Sequence, residues 1–339
     1  MIFRQLFDNV SSTYTYLIAS RKGGEALLID PVLEKTEHYL TLMEQLDLKL
    51  VKVLDTHVHA DHITAMGALR DRTSCVTVMG EQSPVDVVSM RVSDGDAVDI
   101  EGFSLTAMYT PGHTDDSYCF RTEDRIFTGD TLLIRGTGRT DFQNGDAGRQ
   151  YDSLFNGVLK LPESMLVYPA HDYKGDTVST LGEEIAYNPR LQVKSREEYI
   201  DVMNQLNLPN PKMMDVAVPE NMKIGLNLQK QRQVPTIEAG ALLGREADQL
   251  ILVDLREDSE RERFGVIPDS IHIPYGQLEM QLATLAQTDG RPVVFYCAVG
   301  ERSAMATRLA HANGVDHCAH VPGGFQAWQS VGGAIKEIS

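Results

Sequence analysis

At 339 residues the chain is longer than a typical single domain, and two domains are expected. A hydrophobic share of 42% and a charged share of 23% suit folded domains with real cores. The formal net charge of −17 argues against a nucleic-acid binder or a protein drawn to anionic membranes, since both need basic surface; anionic small substrates held by local arginines remain open.

No run of about 18 apolar residues occurs, so no transmembrane helix is expected. The start, Met1–Asp8, lacks a basic region followed by an apolar core, so no signal peptide is expected. The cysteines Cys75, Cys119, Cys297 and Cys318 show neither zinc-type pairing nor a disulfide framework. A reducing compartment, the cytoplasm of a bacterial-type cell, is the expectation.

Taken in order, Ser12–Ser20 and Glu25–Asp30 read as strands joined by a Lys22-Gly23-Gly24 turn. Leu33–Leu46 has helical spacing, and Leu50–Asp55 is a β-type run. Directly after it comes Thr56-His57-Val58-His59-Ala60-Asp61-His62, which sets four candidate metal ligands at the mouth of a strand. A solvated loop with Asp61 as a helix cap is the plain alternative for a lone His-x-His. Ligand types further along favour a metal site. A helix at Ile63–Leu69 and strands at Cys75–Met79, Ala97–Ile100 and Phe103–Tyr109 follow.

His113 stands after the turn Thr110-Pro111-Gly112, Asp130 ends the strand Arg125–Gly129, and His171 follows Leu166–Ala170. Any one of these is an ordinary strand-end residue; together with His-x-His-x-Asp-His they form a strong signal. Strands that first dominate and then alternate with helices suit a two-sheet core with helices outside.

These motifs resemble the metallo-β-lactamase superfamily, whose fold is an αββα sandwich with metal at one rim. His57, His59, Asp61, His62, His113, Asp130 and His171 match its ligand set. Gly136-Thr137-Gly138-Arg139-Thr140-Asp141-Phe142-Gln143, Pro169–Tyr173 and Asn188-Pro189-Arg190 resemble the persulfide dioxygenases within it. That resemblance implies one mononuclear Fe(II) on His57, His113 and Asp130, with His59, Asp61, His62 and His171 as hydrogen-bonded supports. Zinc would not serve, because it has no accessible redox step. Residue types alone also admit two metals. The implied substrate is glutathione persulfide, with Arg139 and Tyr173 as candidate binders and Thr128 and Arg190 as weaker ones. A salt bridge from Arg139 to Asp141 or Asp172 is the alternative for that arginine.

Ser195–Leu206 reads as a helix, and Asp215–Asn227, interrupted by Pro219 and Gly225, reads as an irregular tail. The domains are placed at 1–232 and 233–339. Thr236–Leu243 reads as a short helix with Thr236 as a cap. Leu250–Val253 and Pro292–Tyr296 read as buried strands, and a helix is expected over Ser303–Ala312. Arg256–Arg263, with alternating charge, reads as a solvated helix face. Cys297 lies in a loop, Ala298-Val299-Gly300-Glu301-Arg302, between strand and helix, where inward N–H groups and the helix dipole would stabilise a thiolate. Cys297 is the candidate nucleophile, and Arg302 is placed either to fix the loop or to bind substrate.

Val253–Arg256, Gly265–Pro274, Cys297–Arg302 and Gly323–Trp328 together resemble the rhodanese family. Sulfur transfer through a Cys297 persulfide, with no cofactor in this domain, is what that implies. The whole order is similar to the bacterial persulfide dioxygenase–rhodanese fusion proteins. The implied partners are glutathione persulfide, glutathione, O2, thiosulfate and sulfite, with no nucleic acid and no membrane, and the family implies a homodimer. A dinuclear metallohydrolase of glutathione thioesters, fused to a sulfurtransferase, is the rival reading.

Overall fold

The computed structural model describes residues 1–206, 208–209, 213–225, 234–245, 249–287 and 290–338. The expected boundary at 232/233 lies outside the described residues. Two compact units are present: Met1–Asp86 with Arg91–Ile224, and Val87–Met90 with Gly225–Ser339.

The first unit is built on two six-stranded sheets. One has the order β1 (Ile2–Asp8), β2 (Thr13–Ala19), β3 (Glu25–Ile29), β4 (Lys49–Leu54), β5 (Val76–Gly80), β6 (Met90–Val92). The other runs β12 (Ser179–Thr180), β11 (Leu166–Pro169), β10 (Arg125–Gly129), β9 (Tyr118–Arg121), β8 (Phe103–Tyr109), β7 (Ala97–Ile100). Aromatic rings join them face to face: the Tyr16 and Phe127 centroids lie 5.0 Å apart and those of Phe3 and Tyr168 also 5.0 Å. Both faces of β2 are therefore covered, and all of its residues are buried.

Helices close the outer faces. The Tyr39 hydroxyl, on helix Thr36–Gln45, lies 2.9 Å from Thr15 Oγ1 of β2. Helices Ala147–Asn156, Leu181–Tyr187 and Arg196–Asn204 bury Leu154, Leu181, Tyr199 and Met203 against Cys119, Ile126 and Val167 of the second sheet. Their starts are capped by Asp146, Thr180 and Ser195, whose side chains accept from the amides of Arg149, Glu183 and Glu198. The expected αββα sandwich is this architecture.

The stretch read as an irregular tail contains a helix, Met214–Asn221. Pro219 costs it a single intrahelical bond near its end, and the Ala217 amide still donates to the Met213 carbonyl at 2.7 Å. Burial of Ala217 and Asn221 outweighs that loss.

The second unit is a parallel four-stranded sheet, β14 (Ile271–His272), β13 (Ile251–Asp254), β15 (Val293–Tyr296), β16 (Cys318–His320). Helices Leu278–Leu285 and Glu301–Ala312 pack on one hydrophobic cluster, with Leu282 and Ala306 against Val253 and Phe295. Gly324–Ser330 packs on another, with Trp328 against Leu252 and Tyr296. The short helix near its start spans Ala239–Leu242, and Thr236 forms a β-bridge with His320 instead of a cap. Arg256–Arg263 is not wholly a solvated face. Arg256 is buried on the Asp254 carboxylate at 2.7 Å, and Glu260 turns inward.

Candidate active sites

Strand direction gathers the ligand-type residues of the first unit. β10 and β11 run parallel, and β8 points the same way, since both are antiparallel to β9. Their ends deliver His113, Asp130 and His171 to one rim. The His57–His62 loop leaves the end of β4 at the same rim, where the rings of His57 and His113 meet edge-on with centroids 4.9 Å apart.

His57, His113 and Asp130 come together, each offering a donor atom within 4.8 Å of the other two. The Thr56 hydroxyl donates to Asp30 Oδ2 at 3.0 Å and lies 2.9 Å from His57 Nδ1. With its proton given to Asp30, Thr56 Oγ1 accepts from Nδ1–H, and His57 Nε2 is left as a lone-pair donor. His113 Nδ1 lies 2.7 Å from the Arg139 carbonyl, so its Nε2 is likewise free and stands 3.6 Å from Asp130 Oδ2. Burial, then the neighbouring imidazoles of His59 and His113, holds His57 well below its ordinary pKa and keeps it neutral. Burial works to raise Asp130, but His171, then His113 and His57, hold its carboxyl below the usual carboxylate range.

The remaining rim residues bond to one another. Asp61 Oδ2 accepts from His171 Nε2 at 2.8 Å and from His62 Nδ1 at 2.9 Å. His171 Nδ1 donates to Asp130 Oδ1 at 2.7 Å. Burial opposes charge on His171, but Asp130 and Asp61 raise it well above its ordinary value, so it is an imidazolium between two carboxylates. His59 Nε2 lies 3.2 Å from Asp30 Oδ1. His59 Nδ1 and His62 Nε2 are buried without a hydrogen-bond partner among the described residues.

The four substrate-binding candidates sit differently. The Arg139 guanidinium grips Asp141 through two bonds, of 2.6 and 2.7 Å, donates to the Pro209 carbonyl at 2.7 Å and lies 3.9 Å from the Phe142 ring centroid. The salt-bridge alternative with Asp141 is realised, and the carbonyl of Arg139 is the part that touches the site. Tyr173 is 71% exposed, with its ring parallel to that of His171 at 6.1 Å. Thr128 is buried and donates to the Leu132 carbonyl at 2.6 Å. Arg190 donates to the carbonyl and hydroxyl of Thr137.

Sequence reasoning missed Asn221. Its side-chain amide accepts from the Thr64 amide at 2.8 Å and donates to the carbonyls of His59 and His62, both at 2.9 Å. Gln143 adds a bond to the Val58 carbonyl at 2.8 Å. Nothing in the local sequence of Asn221 announces this work. For Gln143 the signal was its place in the Thr140–Gln143 motif.

In the second unit Cys297 follows β15 and is fully buried. Gly300, at φ +93°, bends the chain so that its own amide donates to Cys297 Sγ at 3.1 Å. Ala298 and Val299 form the outer edge of the loop, half-buried. The helix starts at Glu301, two residues before the expected Ser303. Glu301 accepts from the hydroxyl of Ser89, which belongs to this unit. Arg302 is fully buried and paired through two bonds, of 2.7 and 2.6 Å, with Glu260. Of its two expected roles, fixing the loop is the one this geometry serves. Ser303 and His320, also unread in the sequence, lie behind the cysteine: Ser303 Oγ is 3.8 Å from Cys297 Sγ and 3.2 Å from His320 Nδ1.

The family model of the metallo-beta-lactamase superfamily matches residues 8–85 and 80–171, and that of the rhodanese-like domain matches residues 238–331. The mouse mitochondrial persulfide dioxygenase ETHE1 is 46% identical over 229 residues, which is 67% of this chain and 89% of the mouse protein. This chain belongs to the ETHE1 persulfide dioxygenase family. The crystal structure of ETHE1 from Myxococcus xanthus is 54% identical, with a TM-score of 0.64, covering 66% of this chain and 98% of that one. A hydroxyacylglutathione hydrolase from Pseudoalteromonas translucida is 30% identical over 205 residues, covering 59% of this chain and 77% of the hydrolase. The family resemblance spans the first unit and the rhodanese-like domain follows it, so the chain is an ETHE1–rhodanese fusion.

Proposed function

We propose that the first unit oxidises glutathione persulfide with O2 and water to sulfite and glutathione, using one ferrous ion held by His57, His113 and Asp130. The observation that carries this reading is the convergence of two imidazole Nε2 atoms and one carboxylate oxygen. Their outer nitrogens are already fixed by Thr56 and by the Arg139 carbonyl, the support a two-histidine, one-carboxylate site needs. Bound there, ferrous iron supplies the redox step that lets ground-state O2 react with a persulfide. The chain's own part is orientation. Asp30, through Thr56, sets the His57 tautomer, and Arg139 sets that of His113. His171, between Asp130 and Asp61, holds the Asp130 carboxylate in place and balances its charge. Tyr173 stands exposed beside the rim as the group we assign to persulfide binding, while Arg139 acts through its carbonyl.

We further propose that Cys297 carries sulfane sulfur between thiosulfate and glutathione, releasing sulfite on the thiosulfate side. The Gly300 amide on its sulfur and the N-terminus of the twelve-residue helix behind it favour the anion. Glutathione persulfide is then the substance the two sites share. The sparse cysteines show no disulfide framework in their spacing, which supports a reducing compartment such as the cytoplasm. Among the described residues no helix is long and apolar enough to cross a membrane. A homodimer is the assembly that the family resemblance supports, and light scattering tests it.

One observation favours a second reading. His59, Asp61 and His62 form another group of convergent donors, and two of its nitrogens have no hydrogen-bond partner among the described residues. A two-metal hydrolase would use them. Against it stand the bonds that tie His171 and His62 to Asp61, and the lower identity of the hydrolase relative. The test is O2 uptake by iron-loaded protein given glutathione persulfide, with sulfite measured in the same vessel. Uptake matched by sulfite is expected. No uptake with iron bound, together with glutathione thioester hydrolysis, would overturn the dioxygenase reading.

A further inference from the structure

We propose that His320 is a positioning residue for sulfur transfer: through Ser303 it keeps a hydroxyl proton directed at the sulfur of Cys297. This rests on the sulfur-carrying role proposed above for Cys297.

The Ser303 hydroxyl has one proton and three neighbours. Gly300 carbonyl oxygen is at 3.0 Å, His320 Nδ1 at 3.2 Å and Cys297 Sγ at 3.8 Å. Which neighbour receives the proton depends on the imidazole. If Nδ1 is a bare lone pair, it takes the serine proton and the sulfur goes without. If Nδ1 carries hydrogen, it donates to Ser303 Oγ, and the serine proton must turn to the other side, where the carbonyl and the sulfur lie.

The surroundings select the second arrangement. His320 is 2% exposed, and its Nε2 is buried with no hydrogen-bond partner among the described residues. A buried N–H without an acceptor is rarer and costlier than a buried lone pair without a donor. The single proton of a neutral ring therefore belongs on Nδ1. Burial, then the nearby charge of Arg308, favours that neutral ring. Its place is fixed from the backbone: the His320 amide donates to the Pro235 carbonyl at 3.0 Å, and its carbonyl accepts from the Ile237 amide at 2.9 Å.

Once Cys297 is a thiolate or persulfide anion, it competes with the neutral Gly300 carbonyl for the serine proton, since bonds to anions are about twice as strong as neutral ones. Two donors then face the sulfur, the Gly300 amide and the Ser303 hydroxyl, and both favour the anion. The other charges around the loop have partners of their own, although the paired Arg302 still acts on the Cys297 sulfur through its charge. Arg302 is paired with Glu260, Glu301 accepts from Ser89, and the Tyr296 hydroxyl donates to Asp254, itself paired with Arg256. The serine–histidine pair is thus the adjustable element.

The experiment uses the full chain, follows single-turnover sulfite release from thiosulfate across pH, and reads the acidic limb of the rate profile. Wild type should release one sulfite per chain and C297S none. Absence of release by wild type, or its persistence in C297S, would overturn the sulfur-transfer reading itself. With that reading standing, S303A should move the acidic limb upward by about one pH unit. H320F loses only the bond that orients and polarises the hydroxyl, so it should move the limb in the same direction by less than S303A, and the double variant should move it no further than S303A alone. H320N keeps an N–H in the Nδ1 direction and should keep the wild-type limb. A merely structural role would lower the rate at every pH and leave the limb where it is. An unmoved limb in S303A, additive shifts in the double variant, or a limb in H320N as high as in S303A would each overturn the relay. If H320F does not fold, the pair S303A and H320N decides alone.

Discussion

The Arg139 carbonyl oxygen lies 2.7 Å from Nδ1 of His113, and that contact fixes which ring nitrogen faces Asp130. The chain reaches this position only because residue 138 has no side chain. A Cβ on Gly138 would fall 2.2 Å from the Asp130 carbonyl and 2.8 Å from His113 Nδ1. Gly138→Ala should therefore push the 138–139 segment away and free the His113 ring. We expect iron content to fall at least tenfold at limiting iron, as removal of a ligand's outer partner does elsewhere. Metal analysis after dialysis checks it, and full iron occupancy would contradict the proposed role of the carbonyl.

Asn221 acts on the neighbouring loop. Three backbone groups, on His59, His62 and Thr64, share one side-chain amide. Asn221→Ala leaves all three buried and unpaired, a cost of about 1–3 kcal/mol per group before water enters. Asn221→Asp keeps the acceptor for Thr64 but sets a carboxylate oxygen against two carbonyls. Both variants should lose thermal stability and bind iron more weakly, and Asp should be the worse. Calorimetry with and without added Fe(II) measures both effects; an Asp variant as stable as wild type would remove Asn221 from the loop's support.

The rim residues are legible in the sequence because each follows a β-type run and several sit beside Pro or Gly: His113 after Pro111-Gly112, Asp130 after Gly129, His171 after Pro169-Ala170. Asn221 is not legible. Its partners are backbone groups up to 162 residues away, and backbone carries no sequence signature. Helix Ala147–Asn156 was legible in principle, since Asp146 is a helix cap and Gln150 and Leu154 share a face, but Gly145 and Gly148 mask the pattern. For Arg139 the sequence left a substrate role and a salt bridge open. Only folding brings Asp141 and the Pro209 carbonyl around the guanidinium. Ser303 and His320 meet across strand and helix, and no spacing rule links them.

The two proposed chemistries rest on residues of different units, so they should separate. Cys297→Ser should abolish sulfite release from thiosulfate and leave persulfide oxidation within about twofold, because it removes the sulfur nucleophile and no metal ligand. His113→Ala should do the reverse, losing bound iron and O2 uptake while sulfur transfer persists. Oxygen-electrode and sulfite assays on the two purified variants decide this. Loss of both activities in a folded Cys297→Ser chain would contradict independent sites.

Acid should unfold the second unit earlier than its composition suggests, and His320 gives the reason. Burial, then Arg308, pushes its pKa from the ordinary 6.5 down to about 4. Between those values the unfolded chain holds a proton on this ring and the folded chain does not. Lowering the pH therefore favours unfolding, by up to ~1.4 kcal/mol per pH unit through the window from about 4 to 6.5, while above 6.5 the ring contributes no slope. The chain's one tryptophan, Trp328, lies in this unit and is buried, so its fluorescence reports this unfolding. Urea midpoints followed at Trp328 from pH 4 to 7 should fall with acid in wild type. In His320→Asn, which cannot take up the proton, the fall should be shallower by about one proton. Equal slopes in the two proteins would mean that His320 titrates in the folded chain as it does in the unfolded one, and the neutral buried imidazole behind Ser303 would have to be abandoned with it.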